Sequence, residues 1–220
     1  MSRLIKDGLV AVIRMADTTH LLRVVEALAA GGVTCIEITM TTPDAIGSIE
    51  TVSRNSGGEI LVGAGTVIDS EAALAAISAG AEFIVGPVFK EDILTIVRGH
   101  DGVYIPGALT PTEILRAWEA GADAVKIFPA TVLGPQYVKD IKGPLPHIRL
   151  TPTGGITIDN AADFIRAGAD FLGAGSSLLD KEAIRTGQWE KLSRAASQFL
   201  SVVQDARRQV KASGSSLKEE

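Results

Sequence analysis

The chain has 220 residues, a formal net charge of -5 and a pI near 5.3, and 46% of its residues are hydrophobic. That length suits one full core, since compact domains reach roughly 250 residues before they split. An acidic balance without a basic cluster among aromatics argues against nucleic acid as a partner, and charged residues interrupt each apolar run before it could cross a membrane.

Met1 to Asp7 reads as a short amphipathic helix and not as a secretory leader, so a cytoplasmic protein is expected. Beyond it, short β-branched runs alternate with longer amphipathic segments. The spacing predicts eight strands, near Val10–Arg14, Cys35–Thr39, Ile60–Gly65, Phe83–Pro87, Val103–Gly107, Ala124–Pro129, Ile148–Gly155 and Phe171–Ser176. Eight regular βα units close into a (β/α)8 TIM barrel more readily than they stay open. A doubly wound open sheet is the competing architecture.

Helix boundaries carry their own signals. Thr42-Pro43-Asp44, Asp69-Ser70-Glu71, Thr110-Pro111-Thr112-Glu113 and Thr157-Ile158-Asp159 combine capping side chains with proline or carboxylates, as helix starts do. The repeats Ala30-Gly31-Gly32, Ala79-Gly80-Ala81, Ala120-Gly121-Ala122 and Ala167-Gly168-Ala169 place a glycine where a helix stops in the left-handed conformation. After the eighth strand, Trp189, Leu192, Ala196, Phe199 and Val203 recur at helical spacing and predict an extended C-terminal helix against the barrel. Residues 1–206 form one expected domain, and residues 207–220 are polar and expected to fray.

In such barrels the chemistry lies at the C-terminal ends of the strands. Lys126 on the sixth predicted strand shares a face with Phe128, while Val125 and Ile127 point the other way. Burial disfavours a charged amine, and the neutral form attacks carbonyls to give a Schiff base. A strand-end lysine reaching for water is the structural alternative. On the second strand Cys35, Glu37 and Thr39 share the inward face, so Glu37 is expected to pair with Lys126 and to move protons beside it. A purely structural ion pair is the alternative there. Thr153-Gly154-Gly155 after strand seven and Gly173-Ala174-Gly175-Ser176 after strand eight suit a phosphate ahead of a helix N-terminus. Cys35 is the only cysteine and His20, His100 and His147 are isolated, so neither a disulfide nor a metal site is expected. No glycine-rich nucleotide loop is present, and no cofactor is expected.

Together the segments Val10-Ala11-Val12-Ile13-Arg14, Ile36-Glu37-Ile38-Thr39, Val62-Gly63-Ala64-Gly65-Thr66-Val67, Phe83-Ile84-Val85-Gly86-Pro87, Ile105-Pro106-Gly107, Lys126-Ile127-Phe128-Pro129-Ala130 and Pro152-Thr153-Gly154-Gly155-Ile156 resemble the 2-keto-3-deoxy-6-phosphogluconate (KDPG) aldolases over about residues 5 to 205. The resemblance implies a class I aldolase, usually a homotrimer, that cleaves a phosphorylated keto acid to pyruvate and glyceraldehyde 3-phosphate. It implies Lys126 as the Schiff-base lysine and Glu37 as general acid and base. It further implies Thr66 and Arg14 as anion contacts, Pro87 and Phe128 as pocket walls, and Thr153, Gly154, Gly155, Gly175 and Ser176 as the phosphate cradle. Two positions depart from the family pattern: Thr41 stands where several members carry an arginine clamp, and Gly86 where serine is frequent, which suggests a wider pocket. The sister 2-keto-3-deoxy-6-phosphogalactonate aldolases, or a dual-specificity enzyme, remain an alternative. More remote are a phosphosugar epimerase or isomerase and a non-catalytic barrel scaffold.

Overall fold

The computed structural model describes the backbone of residues 1–216 and the side chains of residues 1–212. The helix α1 (Ser2–Asp7) precedes β1 (Leu9–Ile13), and thereafter strands and helices alternate: α2 (Leu21–Ala30), β2 (Cys35–Thr39), α3 (Ala45–Asn55), β3 (Leu61–Gly65), α4 (Ser70–Ser78), β4 (Phe83–Val85), α5 (Glu91–Gly99) and β5 (Val103–Ile105). The second half holds β6 (Gly107–Ala108), α6 (Pro111–Ala120), β7 (Val125–Ile127), α7 (Ala130–Lys142), β8 (Leu150–Pro152), α8 (Ala161–Arg166), β9 (Leu172–Ala174), α9 (Lys181–Arg185) and α10 (Trp189–Ser216).

All strand pairs are parallel, in a curled six-stranded sheet of order β5-β4-β3-β2-β1-β9 and a three-stranded sheet β6-β7-β8. Each of the predicted strands is found, most of them shorter than expected because their last residues leave the sheet to form loops. The fifth splits at Pro106, which has no N–H to give to a ladder. Alternation along the strands divides the apolar residues in two. Val10, Cys35, Leu61, Phe83 and Phe171 form an inner cluster closed off by Leu4 of α1, and a larger cluster lies between strands and helices.

Local chemistry explains several helix ends. Thr110 and Glu113 make a reciprocal capping box with Pro111 in the first turn of α6, and Asp69 accepts from Ala72 N at 2.7 Å to cap α4. At α8 the expected start shifts to Asn160, whose side chain serves the preceding loop: it accepts from Thr157 N and donates to Gly155 O, each at 2.9 Å. At the first glycine repeat the left-handed residue is Gly32, not Gly31. Gly31 instead lets α10 approach, because a side chain there would strike the Ser193 backbone oxygen.

The boundary expected at residue 206 is crossed without interruption. Helix α10 continues to Ser216, and the Arg207 guanidinium donates to the carbonyls of Ile5, Lys6 and Asp170, tying the helix to the N-terminal turn. Polarity alone suggested fraying there, but a guanidinium serving three backbone carbonyls holds its own stretch of helix in place. The end of the predicted tail, 217–220, lies outside the described residues.

Candidate active site

Glu37 is the central residue of β2, in register with Val12 on β1 and Gly63 on β3. Strand alternation sends it inward with Cys35, and only 3% of it is exposed. Its carboxyl leans across β3 so that Oε1 lies where a Cβ on Gly65 would stand. Oε1 is buried without a hydrogen-bond partner. Burial pushes the Glu37 carboxyl above its ordinary value, opposed by the charges of Lys126 and then Arg14.

Lys126 is the central residue of β7, in register with Gly107 and Thr151, and is 5% exposed. The direct ion pair expected between Lys126 and Glu37 is not formed among the described residues: Glu37 Oε1 is unpartnered, and Nζ of Lys126 lies 4.7 Å from the centroid of the Phe128 ring. That distance suits a cation–π contact. The carboxyl bends toward β3 and the amine toward Phe128, so each acts on the other through space.

The remaining predicted residues each follow the end of a strand in the chain. Arg14 is exposed just past the end of β1, from where its charge still reaches Glu37. Thr66, the first residue after β3, adopts a left-handed backbone with φ 60°, which costs a non-glycine residue ~1–3 kcal/mol and is concentrated at functional sites. Half-buried Pro87 and Phe128, which is 36% exposed, line a groove of about 640 Å³ with Val88, Gly107 and Leu109. At the departure from the family pattern, Thr41 bonds hydroxyl to hydroxyl with Thr39 at 3.0 Å, and Thr39 reaches Thr42 at 3.4 Å.

Gly86 does not widen the pocket. A Cβ there would meet Val88 O at 2.8 Å and Val67 O at 3.2 Å, so neighbouring backbone already fills the space a side chain would take.

The two glycine runs come together. Thr153 bridges to Gly173, and the Ser177 hydroxyl donates to Ile156 O at 2.7 Å, which holds the loop after β9 against the loop after β8. Gly154 and Gly155 have φ of 91° and 71°, open only to glycine without strain. Ser176 is exposed and Gly175 half-buried. The runs lead into turns and not straight into helices, as α8 starts at Ala161 and α9 at Lys181.

The structure also draws in residues that the sequence reading passed over. Gly65 provides clearance for Glu37, a role its neighbours in sequence do not announce. Thr131, one residue beyond the recognised Lys-Ile-Phe-Pro-Ala run, stands over Gly154 and Gly155; a hydroxyl opening the helix after the lysine strand was the available signal.

A buried amine and a buried carboxyl in the middle of parallel strands, with glycine turns after β8 and β9, suit an α/β enzyme with lyase chemistry. The chain belongs to the KDPG and KHG aldolase family, whose description matches residues 1–195. It is 33% identical over 198 residues to the 2-dehydro-3-deoxy-phosphogluconate aldolase of Pseudomonas aeruginosa, covering 90% of each chain. It is 34% identical over 203 residues to the 2-dehydro-3-deoxy-6-phosphogalactonate aldolase of Escherichia coli, covering 91% of this chain and 97% of that one. Among solved structures it is similar to the KDPG aldolase of Legionella pneumophila with pyruvate captured as a covalent carbinolamine, with a TM-score of 0.80, 29% identity, and coverage of 86% of this chain and 92% of that one.

Proposed function

We propose that this chain cleaves 2-keto-3-deoxy-6-phosphogluconate to pyruvate and glyceraldehyde 3-phosphate, with Lys126 as the Schiff-base residue and Glu37 as the proton carrier. The observation that carries the reading is a lysine only 5% exposed that shares an interior with a carboxyl only 3% exposed and raised in pKa by burial. The Lys126 amine adds to the C2 carbonyl, and the carbinolamine loses water to give the imine. Glu37 takes the proton of the C4 hydroxyl, the C3–C4 bond breaks, and its electron pair moves into the protonated imine to form a neutral enamine as the aldehyde leaves. Glu37 returns the proton at C3, and water releases pyruvate and the free amine.

Arg14 and Thr66 hold the substrate carboxylate in this reading, with Pro87 and Phe128 as walls. Thr153, Gly154, Gly155, Gly175 and Ser176 hold the phosphate. Borohydride reduction in the presence of pyruvate tests the core of it: a stable adduct on Lys126 is expected, and an unmodified Lys126 overturns it. The similarity to the galactonate relative favours a second substrate, the C4 epimer; assay of both epimers side by side decides between single and dual specificity.

The two sheets are read here as one (β/α)8 barrel forming a single domain. The Thr153–Gly173 bridge and the bond from Lys126 N to Pro106 O at 2.8 Å support that reading. A homotrimer is the proposed assembly. Val88 and Leu109, both exposed beside one groove, give a second copy apolar surface to cover. Among the described residues no helix is long and apolar enough to cross a membrane. A sugar-acid substrate carrying both a carboxylate and a phosphate, which does not cross membranes unaided, makes the cytoplasm the expected compartment.

A further inference from the structure

The strand that bears Lys126 leaves the sheet through Phe128 and Pro129, and Ala130 N then donates to Thr153 O at 2.9 Å. This bond sews the exit of β7 to the end of β8. The next residue, Thr131, is consequently suspended over the glycine turn. A Cβ on Gly155 would fall 2.8 Å from Thr131 Oγ1, and one on Gly154 would fall 3.6 Å from it. The approach to Gly155 is open only because that position lacks a side chain, while at Gly154 a Cβ would make ordinary contact with Thr131. On the other flank of Gly154 stands the Phe128 ring, at 3.5 Å from the same hypothetical Cβ. Gly154 is therefore bracketed, with the wall of the amine pocket on one side and the Thr131 hydroxyl on the other.

The position of Thr131 is fixed by a second feature. Gly134 departs from helical geometry, with φ 67° and ψ -179°, and Pro135 follows it. The first turn of α7 is thus separated from the rest of the helix and stays with the loop. Thr131 is exposed, and none of its side-chain oxygen's bonding capacity goes to a hydrogen bond among the described residues. Ser177, by contrast, gives its hydroxyl to Ile156.

We propose that Thr131 is a substrate-binding residue whose hydroxyl donates to the terminal phosphate of the substrate, and that it sets the preference of this enzyme for phosphorylated over unphosphorylated 2-keto-3-deoxy acids. The proposal rests on the aldolase reading above, which supplies the phosphate and its position at Gly154 and Gly155. A hydroxyl bonded to a phosphate oxygen makes a charge-assisted hydrogen bond that an unphosphorylated acid does not offer.

Three measurements test it on the full-length enzyme. For Thr131→Val, the ratio of kcat/KM with 2-keto-3-deoxy-6-phosphogluconate to kcat/KM with unphosphorylated 2-keto-3-deoxygluconate should fall about tenfold or more, mainly through KM for the phosphorylated substrate. Thr131→Ser, which keeps the hydroxyl, should restore that ratio. A ratio unchanged in Thr131→Val, or a loss that Thr131→Ser fails to restore, overturns the role. Borohydride trapping of pyruvate on Lys126 in the unsubstituted enzyme is the separate control: an adduct with an unaltered ratio refutes Thr131 alone, whereas failure to form an adduct refutes the aldolase reading beneath it.

Discussion

Oε1 of Glu37 occupies the space in which a side chain at Gly65 would have to begin. Two residues on neighbouring strands thus share one volume, and the carboxyl keeps its position only while residue 65 has no Cβ. Gly65→Ala should push the carboxyl off β3 and lower kcat by about a hundredfold, the scale on which a positioned acid-base group contributes. The pyruvate adduct on Lys126 should still form, although more slowly. Steady-state kinetics beside a thermal melt will distinguish this from unfolding; full activity in Gly65→Ala would show that the carboxyl works from elsewhere.

The raised Glu37 pKa has a sign for stability as well as for rate. Burial favours the protonated form in the folded protein, so its stabilising contribution is complete below the ordinary carboxyl range and is lost as pH climbs through the folded value. Glu37→Gln lacks that loss. Its melting temperature should gain on the unsubstituted chain as pH rises from the acid side toward neutrality, while kcat collapses by about two to four orders of magnitude. For the unsubstituted enzyme, the acid limb of kcat/KM should lie above the ordinary glutamate range. A limb at the ordinary value would mean that the titrating group is another residue.

Lys126→Arg separates two kinds of enzyme that this fold can support. Arginine preserves a positive charge but forms no imine, so cleavage and adduct formation should both vanish, a loss of about a thousandfold or more. A phosphosugar isomerase or epimerase, which needs no imine, would keep much of its activity in the same variant. Progress curves with the keto-acid substrate, read beside intact mass after reduction, give the answer.

The exposed apolar rim predicts an assembly. Val88 is 51% exposed and lines the groove beside Phe128, so Val88→Asp should leave the monomer fold intact while weakening self-association. Sedimentation velocity should report a slower species than the parent chain, with a far-ultraviolet spectrum unchanged. If the parent sediments as a monomer, this rim has another use.

Helix α10 is anchored through residues that are almost wholly buried, Phe199 among them. Removing that ring should leave a cavity beneath α10, which packs against α2 and α8, and destabilise the fold by ~3–5 kcal/mol. Urea unfolding of Phe199→Ala measures it. A much smaller cost would mean that the helix closes over the gap.

Much of this molecule was written in local patterns. Alternation along Cys35 to Thr39 aimed Glu37 inward, the Thr110–Glu113 spacing marked the start of α6, and the apolar period from Leu192 to Val203 declared the face of α10. Each depends on neighbours within a few residues, and short-range periodicity is what a linear chain records. Other features arise only when distant segments meet. The bend of Glu37 over Gly65, the turn of Lys126 toward Phe128 in place of the expected ion pair, the backbone that fills the space at Gly86 and the Arg207 clamp on the N-terminal turn all join segments that folding brings together. The sequence by itself determined which face each strand and helix presents. Only the tertiary structure decided which groups touch, because contact depends on how much volume the other strands and loops leave open.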